Sequence, residues 1–275
     1  MSGNGSLSQT YQSSFGTVKF DACGEGPPLV VVHGTPWSSY NWRNIIPVLA
    51  QHRTVYFYDL LGYGQSEKAE AVSLGIQNQL LAELLDHWGL NTPDIVGHDF
   101  GGTTVLRTHL LSNRNFRKLA VIDPVAIAPW GSPFFKLVAA NEAVFQQIPG
   151  YIHEAMVTAY IRNAMYQQPD ETVLANTVAP WLGETGQQAF YRQIAQSHQR
   201  FTDEIEPRYG DIKPPVLILW GAEDTWIPIE RGEQLHAKIP HSEFHAIEKA
   251  GHLVLEEAPA NIAQKLVDFF IGAKA

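Results

Sequence analysis

Gly97-His98-Asp99-Phe100-Gly101-Gly102 is the stretch that decides the fold of this chain. Residues 93–96 before it, which end in Ile95-Val96, predict a short strand, and the spacing of apolar residues in 103–111 predicts a helix. Glycines on both sides of Asp99 permit a tight turn and close approach of neighbouring backbone. The pattern therefore predicts that the Asp99 carboxylate stands at a strand end and a helix N-terminus, where a nucleophile is well presented.

Strand and helix patterns alternate on both sides of this turn. Short β-branched or apolar runs predict further strands at 15–21, 29–32, 54–58, 118–122, 215–220 and 243–247. Helical spacing predicts helices over 38–49, 73–88, 228–238 and 259–270. Alternation of this kind predicts an α/β fold with a mostly parallel central sheet flanked by helices.

The alternation stops over residues 125–212, which are rich in aromatic side chains and show helical patterns only. We expect this segment to form a helical cap, or lid, over a core built from residues 13–124 and 213–275. Residues 1–12 are polar and predict a flexible tail. Because ligands of open α/β sheets bind at the carboxyl ends of strands, an aromatic cap predicts an apolar cavity there.

Composition limits the partners of the chain. The net charge of −9 makes nucleic acid and anionic membranes poor partners, and no apolar run is long enough for a membrane span. The single cysteine, Cys23, and the lack of a signal-peptide pattern fit the cytoplasm. We expect no cofactor and no metal site, and a monomer or small homo-oligomer.

Two later strand ends carry partners for Asp99. Asp224 follows the predicted strand 215–220, and His252 follows the strand 243–247. A nucleophile, an acid and a histidine in this chain order predict covalent catalysis, with the acid orienting the imidazole. Asp123, at the end of the strand 118–122, is the alternative acid.

The chain resembles the α/β-hydrolase superfamily over nearly its whole length. Residues 33–47 and 59–66 and the elbow around Asp99 resemble its aspartate-nucleophile branch, which includes haloalkane dehalogenases and epoxide hydrolases. The resemblance implies an oxyanion hole at the backbone of Thr35 and Phe100. A carboxylate is suited to attack saturated carbon, because attack on an ester carbonyl would give an unfavourable anhydride. His252 would then activate the water that hydrolyses the resulting alkyl-enzyme ester.

The leaving group is less well defined by the sequence. Dehalogenases of this branch hold the halide with a tryptophan after the nucleophile and often an asparagine after His-Gly, where this chain has Phe100 and Thr35. Indole donors that could replace them are Trp37, Trp130 and Trp181. Epoxide hydrolases use two cap tyrosines, for which Tyr191 and either Tyr151 or Tyr160 are candidates.

We expect a dehalogenase-like hydrolase that cleaves a carbon–halogen bond of a small apolar organic substrate with water. Epoxide hydrolysis is the alternative within the same chemistry. A non-catalytic, small-molecule-binding protein of the same fold is the alternative of another class, and the complete set of Asp99, Asp224 and His252 disfavours it.

Overall fold

The computed structural model describes residues 6–272, and residues 1–5 and 273–275 lie outside that description. Within residues 6–272, one sheet contains strands β1 (Gln9–Gln12), β2 (Thr17–Cys23), β3 (Pro28–Val32), β4 (Thr54–Tyr58), β5 (Asp94–His98), β6 (Leu119–Ile122), β7 (Val216–Gly221) and β8 (Glu243–Ile247). Their order across the sheet is β1-β2-β4-β3-β5-β6-β7-β8. The pairs β1–β2 and β2–β4 are antiparallel, and all the other neighbouring strands pair in parallel. The predicted mostly parallel sheet is confirmed, with β5 near its centre.

Helices flank the sheet and fill the segment between β6 and β7. They are α1 (Ile46–Leu49), α2 (Leu74–His87), α3 (Phe100–Leu111), α4 (Pro133–Ala140), α5 (Glu142–Phe145), α6 (Gly150–Arg162), α7 (Glu171–Val178), α8 (Gly183–Ala195), α9 (Arg200–Asp203), α10 (Glu230–Lys238), α11 (Val254–Glu257) and α12 (Pro259–Phe270). Residues 125–212 are described throughout and contain α4 to α9 but no strand. None of the helices in residues 6–272 has the length and apolarity needed to cross a bilayer.

Both faces of the sheet are buried. Val30 and Val32 of β3 join an apolar cluster that includes residues of α2, α3 and the inserted helices. Leu29 and Val31, which alternate with them, join a second cluster with residues of α1 and α12. A strand that is buried on both faces consists of a continuous run of apolar residues, and such a run predicts β3 from the sequence.

Two local predictions are wrong. The predicted flexible tail does not extend to Gln9–Gln12, which pair with β2, and the Tyr11 ring stacks on His87 at 4.3 Å. This edge strand is polar, so its hydrogen bonds are main-chain bonds that leave no apolar pattern. The predicted helix over 38–49 forms as a 3₁₀ turn, Ser39–Trp42, and the separate helix α1. Pro47 lies in the first turn of α1, where its missing N–H costs nothing.

Candidate active site

Asp99 occupies a strained turn between β5 and α3. Its φ of 54° lies in the left-handed region, which non-glycine residues rarely adopt. The turn closes only because its flanks are glycine: a Cβ on Gly97 would lie 2.4 Å from the carbonyl oxygen of Gly101. A Cβ on Gly101 would lie 2.3 Å from the carbonyl oxygen of Val32 on the neighbouring strand. The predicted strand, turn and helix all form.

The two carboxylate oxygens of Asp99 have different partners. Oδ1 accepts a hydrogen bond from the backbone N–H of Thr35 at 2.6 Å. Oδ2 lies 3.2 Å from Nε2 of His252. Phe100 is the first residue of α3, and the amides at a helix start have no acceptor within the helix. The structure thus places one oxygen at the predicted oxyanion hole and directs the other toward the histidine.

Asp224 holds the other side of the imidazole. Its Oδ2 lies 2.7 Å from Nδ1 of His252, and its Oδ1 accepts hydrogen bonds from the backbone N–H groups of Trp226 and Ile227. Both oxygens of this buried carboxylate are therefore engaged, which fixes its orientation. The structure brings together the three residues that the sequence predicts: Asp99, Asp224 and His252.

The charge on His252 depends on these two carboxylates. Burial alone would lower the pKa of the imidazole, but the charges and hydrogen bonds of Asp224 and Asp99 outweigh burial and raise this pKa well above its usual value. With both ring nitrogens facing carboxylate oxygens, a protonated ring donates one hydrogen bond to each. The two carboxylates on either side of the ring therefore favour its protonated form in the resting site.

Asp123 is buried nearby but does not hydrogen-bond to His252. Its Oδ1 accepts the backbone N–H of Gly221 at 2.7 Å, and its Oδ2 has no partner within the described chain. Burial, followed by the negative charge of Asp224, raises the pKa of Asp123 well above its usual range. This raised pKa favours the neutral form of Asp123, and Asp224 is the acid that hydrogen-bonds to the histidine.

His98 helps to position the loop that carries His252, a role that its place in the sequence does not indicate. Its Nε2 donates to the backbone carbonyl of His252 at 2.9 Å, and so helps to hold the loop that carries the imidazole. Burial and the charge of His252 lower the pKa of His98 to about 4, so the ring stays neutral at pH 7. Close contact between two histidines therefore adds no second positive charge.

A cavity of about 530 Å³ opens above Asp99 and His252. Its size falls within the range of small-molecule sites. Aromatic and aliphatic side chains line most of it, including Phe100, Ile127, Trp130, Phe134, Phe135, Tyr160, Trp226 and Ile227. No hydrogen-bond partner for the Tyr160 hydroxyl exists among residues 6–272. Burial, and then the charge of Asp99, raise the pKa of Tyr160 well above its usual value.

Of the predicted pocket aromatics, Trp130 lines this cavity, and its indole N–H is occupied by Thr202 Oγ1 at 2.7 Å. Tyr151 does not: it lies on the outer face of α6 with 77% of its surface exposed. The other three predicted aromatics, Trp37, Trp181 and Tyr191, are buried outside this cavity. Trp181 donates to the carbonyl of Pro36, and the Tyr191 hydroxyl bonds His153 Nδ1. Trp37 lies behind the cavity wall, where it stacks on Trp226 at 5.9 Å.

Sequence reasoning misses Trp226 and Arg231 as cavity residues. The Trp226 ring lies 5.1 Å from His252 and 4.4 Å from Tyr160, and its indole donates to Asn163, the residue that follows α6. Trp226 lies two residues after Asp224, and Arg231 lies seven residues after it in the first turn of α10. Closeness in sequence to the predicted acid is therefore a usable clue for both residues. Among residues 6–272 no group of acidic, histidine and cysteine side chains is placed to hold a metal.

The comparisons with known proteins agree with this fold. A family model described as the alpha/beta hydrolase fold matches residues 27–259. A solved alpha/beta hydrolase fold protein from Burkholderia ambifaria is 47% identical, with a TM-score of 0.93, and the match covers 96% of this chain and 98% of that one. The chain therefore belongs to the α/β hydrolase fold family, a family of hydrolases.

Two more distant relatives are named as hydrolases. The uncharacterized hydrolase YugF of Bacillus subtilis is 29% identical, over 88% of this chain and 89% of YugF. The 2-hydroxy-6-oxo-2,4-heptadienoate hydrolase of Pseudomonas putida is 28% identical, over 91% of both chains.

The two buried acids near His252 should affect its titration differently. Asp224→Asn removes a charge that raises the pKa of His252, so this pKa should fall by about one unit or more. Asp123→Asn removes a carboxyl that is already neutral, so the pKa should change little. NMR pH titration of ¹⁵N-histidine-labelled protein measures both variants against wild type. Equal shifts in the two variants would contradict the assignment of Asp224 as the charged partner.

Proposed function

We propose that this chain is a hydrolase that forms an alkyl ester on Asp99 and then hydrolyses it. The observation that carries the proposal is the placement of a carboxylate, instead of a hydroxyl, at the strained turn beneath the cavity. Its Oδ1 is held by the Thr35 amide, which leaves Oδ2 to attack a saturated carbon in the cavity. Displacement there forms a carbon–oxygen bond to Asp99 and releases the leaving group.

The second step uses the same contacts. In the ester, Oδ1 lies where backbone N–H groups can stabilise the negative charge that develops when water attacks the carbonyl carbon. Esterification also removes the charge of Asp99, one of the two carboxylates that raise the pKa of His252. The imidazole then loses its proton more readily and becomes the base that activates water, while Asp224 still holds Nδ1.

Tyr160 favours an oxygen leaving group and therefore an epoxide substrate. It is on cap helix α6 and lines the cavity that also reaches Asp99, and its hydroxyl is free to donate. An epoxide oxygen becomes an alkoxide on ring opening and needs a proton, which a neutral phenol can supply. The raised pKa of Tyr160 keeps its proton in place until an alkoxide forms.

Carbon–halogen cleavage is the second candidate. It is favoured by the resemblance of residues 33–47 to dehalogenases and by the indole Nε1 of Trp37, which is buried without a partner in the described chain. Against it, Phe100 supplies no side-chain donor, and the indoles of Trp130 and Trp181 are bound elsewhere. A departing halide ion would need a hydrogen bond from Tyr160, or from the Trp37 indole after a movement of that side chain.

Hydrolysis of a carbon–carbon bond, as the name of the Pseudomonas putida relative implies for that protein, fits this site less well. The heptadienoate in that name has a keto carbon, and a carboxylate that attacks such a carbon gains no stable ester. Asp99 therefore favours electrophiles that react at saturated carbon.

His252→Phe should trap the alkyl-enzyme, because it removes the base that activates water but leaves Asp99 in place. Intact-protein mass spectrometry after incubation with styrene oxide, and separately with 1-bromohexane, measures the adduct, and peptide mapping locates it. An adduct on Asp99 from the epoxide supports the proposal, and one from the bromide alone supports the second candidate. No adduct from either reagent would contradict an alkyl-enzyme mechanism for these substrates, and His252→Phe/Asp99→Asn is the matched control.

Tyr160→Phe should slow adduct formation from styrene oxide by about 100-fold, since general-acid catalysis contributes at least that much. The bromide reaction needs no proton and should change much less. Tyr151→Phe is the control, because Tyr151 is on the same helix but faces solvent. Equal slowing by both substitutions, or no slowing by Tyr160→Phe, would rule out Tyr160 as the acid. Quenched-flow measurements in the His252→Phe background give the rates of adduct formation.

A further inference from the structure

Arg231 is a cation in the wall of an otherwise apolar cavity. It lies in the first turn of α10 and is half-buried, and it lines the same cavity as Asp99. Apart from His252, it is the one basic side chain in that wall within residues 6–272. The role proposed for Asp99 and His252 does not use it.

Arg231 differs from most arginines of the chain in having no carboxylate partner. Eight of the ten arginines form ion pairs with Asp or Glu, namely Arg43, Arg53, Arg107, Arg114, Arg117, Arg162, Arg192 and Arg208. Arg200 has none either, but it is exposed to solvent and lies over the Phe201 ring. Arg231 is thus the unpaired arginine that faces the cavity.

The guanidinium of Arg231 is held in place with one edge free. Nη1 donates to the carbonyl of Ala128 at 3.2 Å and to Gln234 Oε1 at 3.0 Å. Nε and Nη2 have no hydrogen-bond partner in the described part of the chain, and together they form the edge that binds a carboxylate with two parallel hydrogen bonds. Glu206, which accepts the backbone N–H of Ala128, forms its ion pair with Lys238 at 3.2 Å and not with Arg231.

We propose that the substrate carries a carboxylate at the end remote from its reacting carbon, and that Arg231 binds this carboxylate. The inference rests on the proposed function for the reacting end, and it changes the expected substrate from a wholly apolar molecule to an acid with an apolar middle. Aromatic and aliphatic side chains line most of the cavity that Asp99 and Arg231 share, which suits that middle part. The carboxylates of Asp99 and Asp224 disfavour a second carboxylate at the reacting end. Arg231 thereby orients the substrate.

The test is a binding measurement that requires no turnover. Isothermal titration of wild type with hexanoate and with hexanamide compares two ligands of similar shape that differ in charge. Wild type should bind hexanoate about 10- to 100-fold more tightly, as expected for a charged hydrogen-bonded pair. Arg231→Gln should remove this preference and leave hexanamide binding unchanged, and Arg231→Lys should keep part of it.

Arg200→Gln is the matched control, because it removes an unpaired arginine outside the cavity and should leave the preference intact. Equal affinity of wild type for the two ligands, or no binding of hexanoate, would overturn the proposal. Equal weakening of both ligands by Arg231→Gln would also overturn it and would indicate that Arg231 only supports the loop at Ala128. Because the alkyl-enzyme trap uses neutral reagents, failure of the proposed reaction is distinguishable from failure of this inference.

Discussion

The site depends on one constraint, a carboxylate fixed at positive φ between a backbone amide and an imidazole. Asp99 reaches this position because β5 lies between β3 and β6 and because glycines let β3, β5 and α3 approach closely. Thr35 follows β3, Asp224 follows β7 and His252 follows β8. Parallel strands place all these ends at one edge of the sheet, so the sheet order itself assembles the site.

Electrostatics then separate the roles of three buried groups that lie around Asp99 and Asp224, namely His98, Asp123 and His252. The neighbouring carboxylates raise the pKa of His252, whereas burial and the charge of His252 lower the pKa of His98 to about 4. Burial beside Asp224 raises the pKa of Asp123. Each state follows from burial and from the charge next to it. The arrangement also changes during the proposed reaction, since the ester at Asp99 carries no charge and the imidazole becomes a base when it is needed.

The central strands and the candidate catalytic residues could be predicted from the sequence, whereas the residues that line the cavity could not. β5, its turn and the later partners of Asp99 follow from short-range patterns: apolar runs, glycine spacing and polar residues at strand ends. The inserted helices are different, because Tyr151 and Tyr160 lie on the same helix, α6, and Tyr191 lies on α8. Only the packing of these helices decides that Tyr160 is the one that lines the cavity. The polar strand β1 could not be predicted from the sequence, because main-chain pairing leaves no pattern of side chains.

The central claim is that Asp99 becomes covalently bonded to substrate and regains an oxygen from water. A single turnover of excess wild-type enzyme with styrene oxide in ¹⁸O-labelled water, followed by peptide mass spectrometry, tests it directly. If the Asp99 ester forms and water attacks its carbonyl carbon, ¹⁸O enters the Asp99 carboxylate and the product carries the unlabelled oxygen from Asp99. Label in the product with none in the Asp99 peptide would show direct attack by water and would contradict the account.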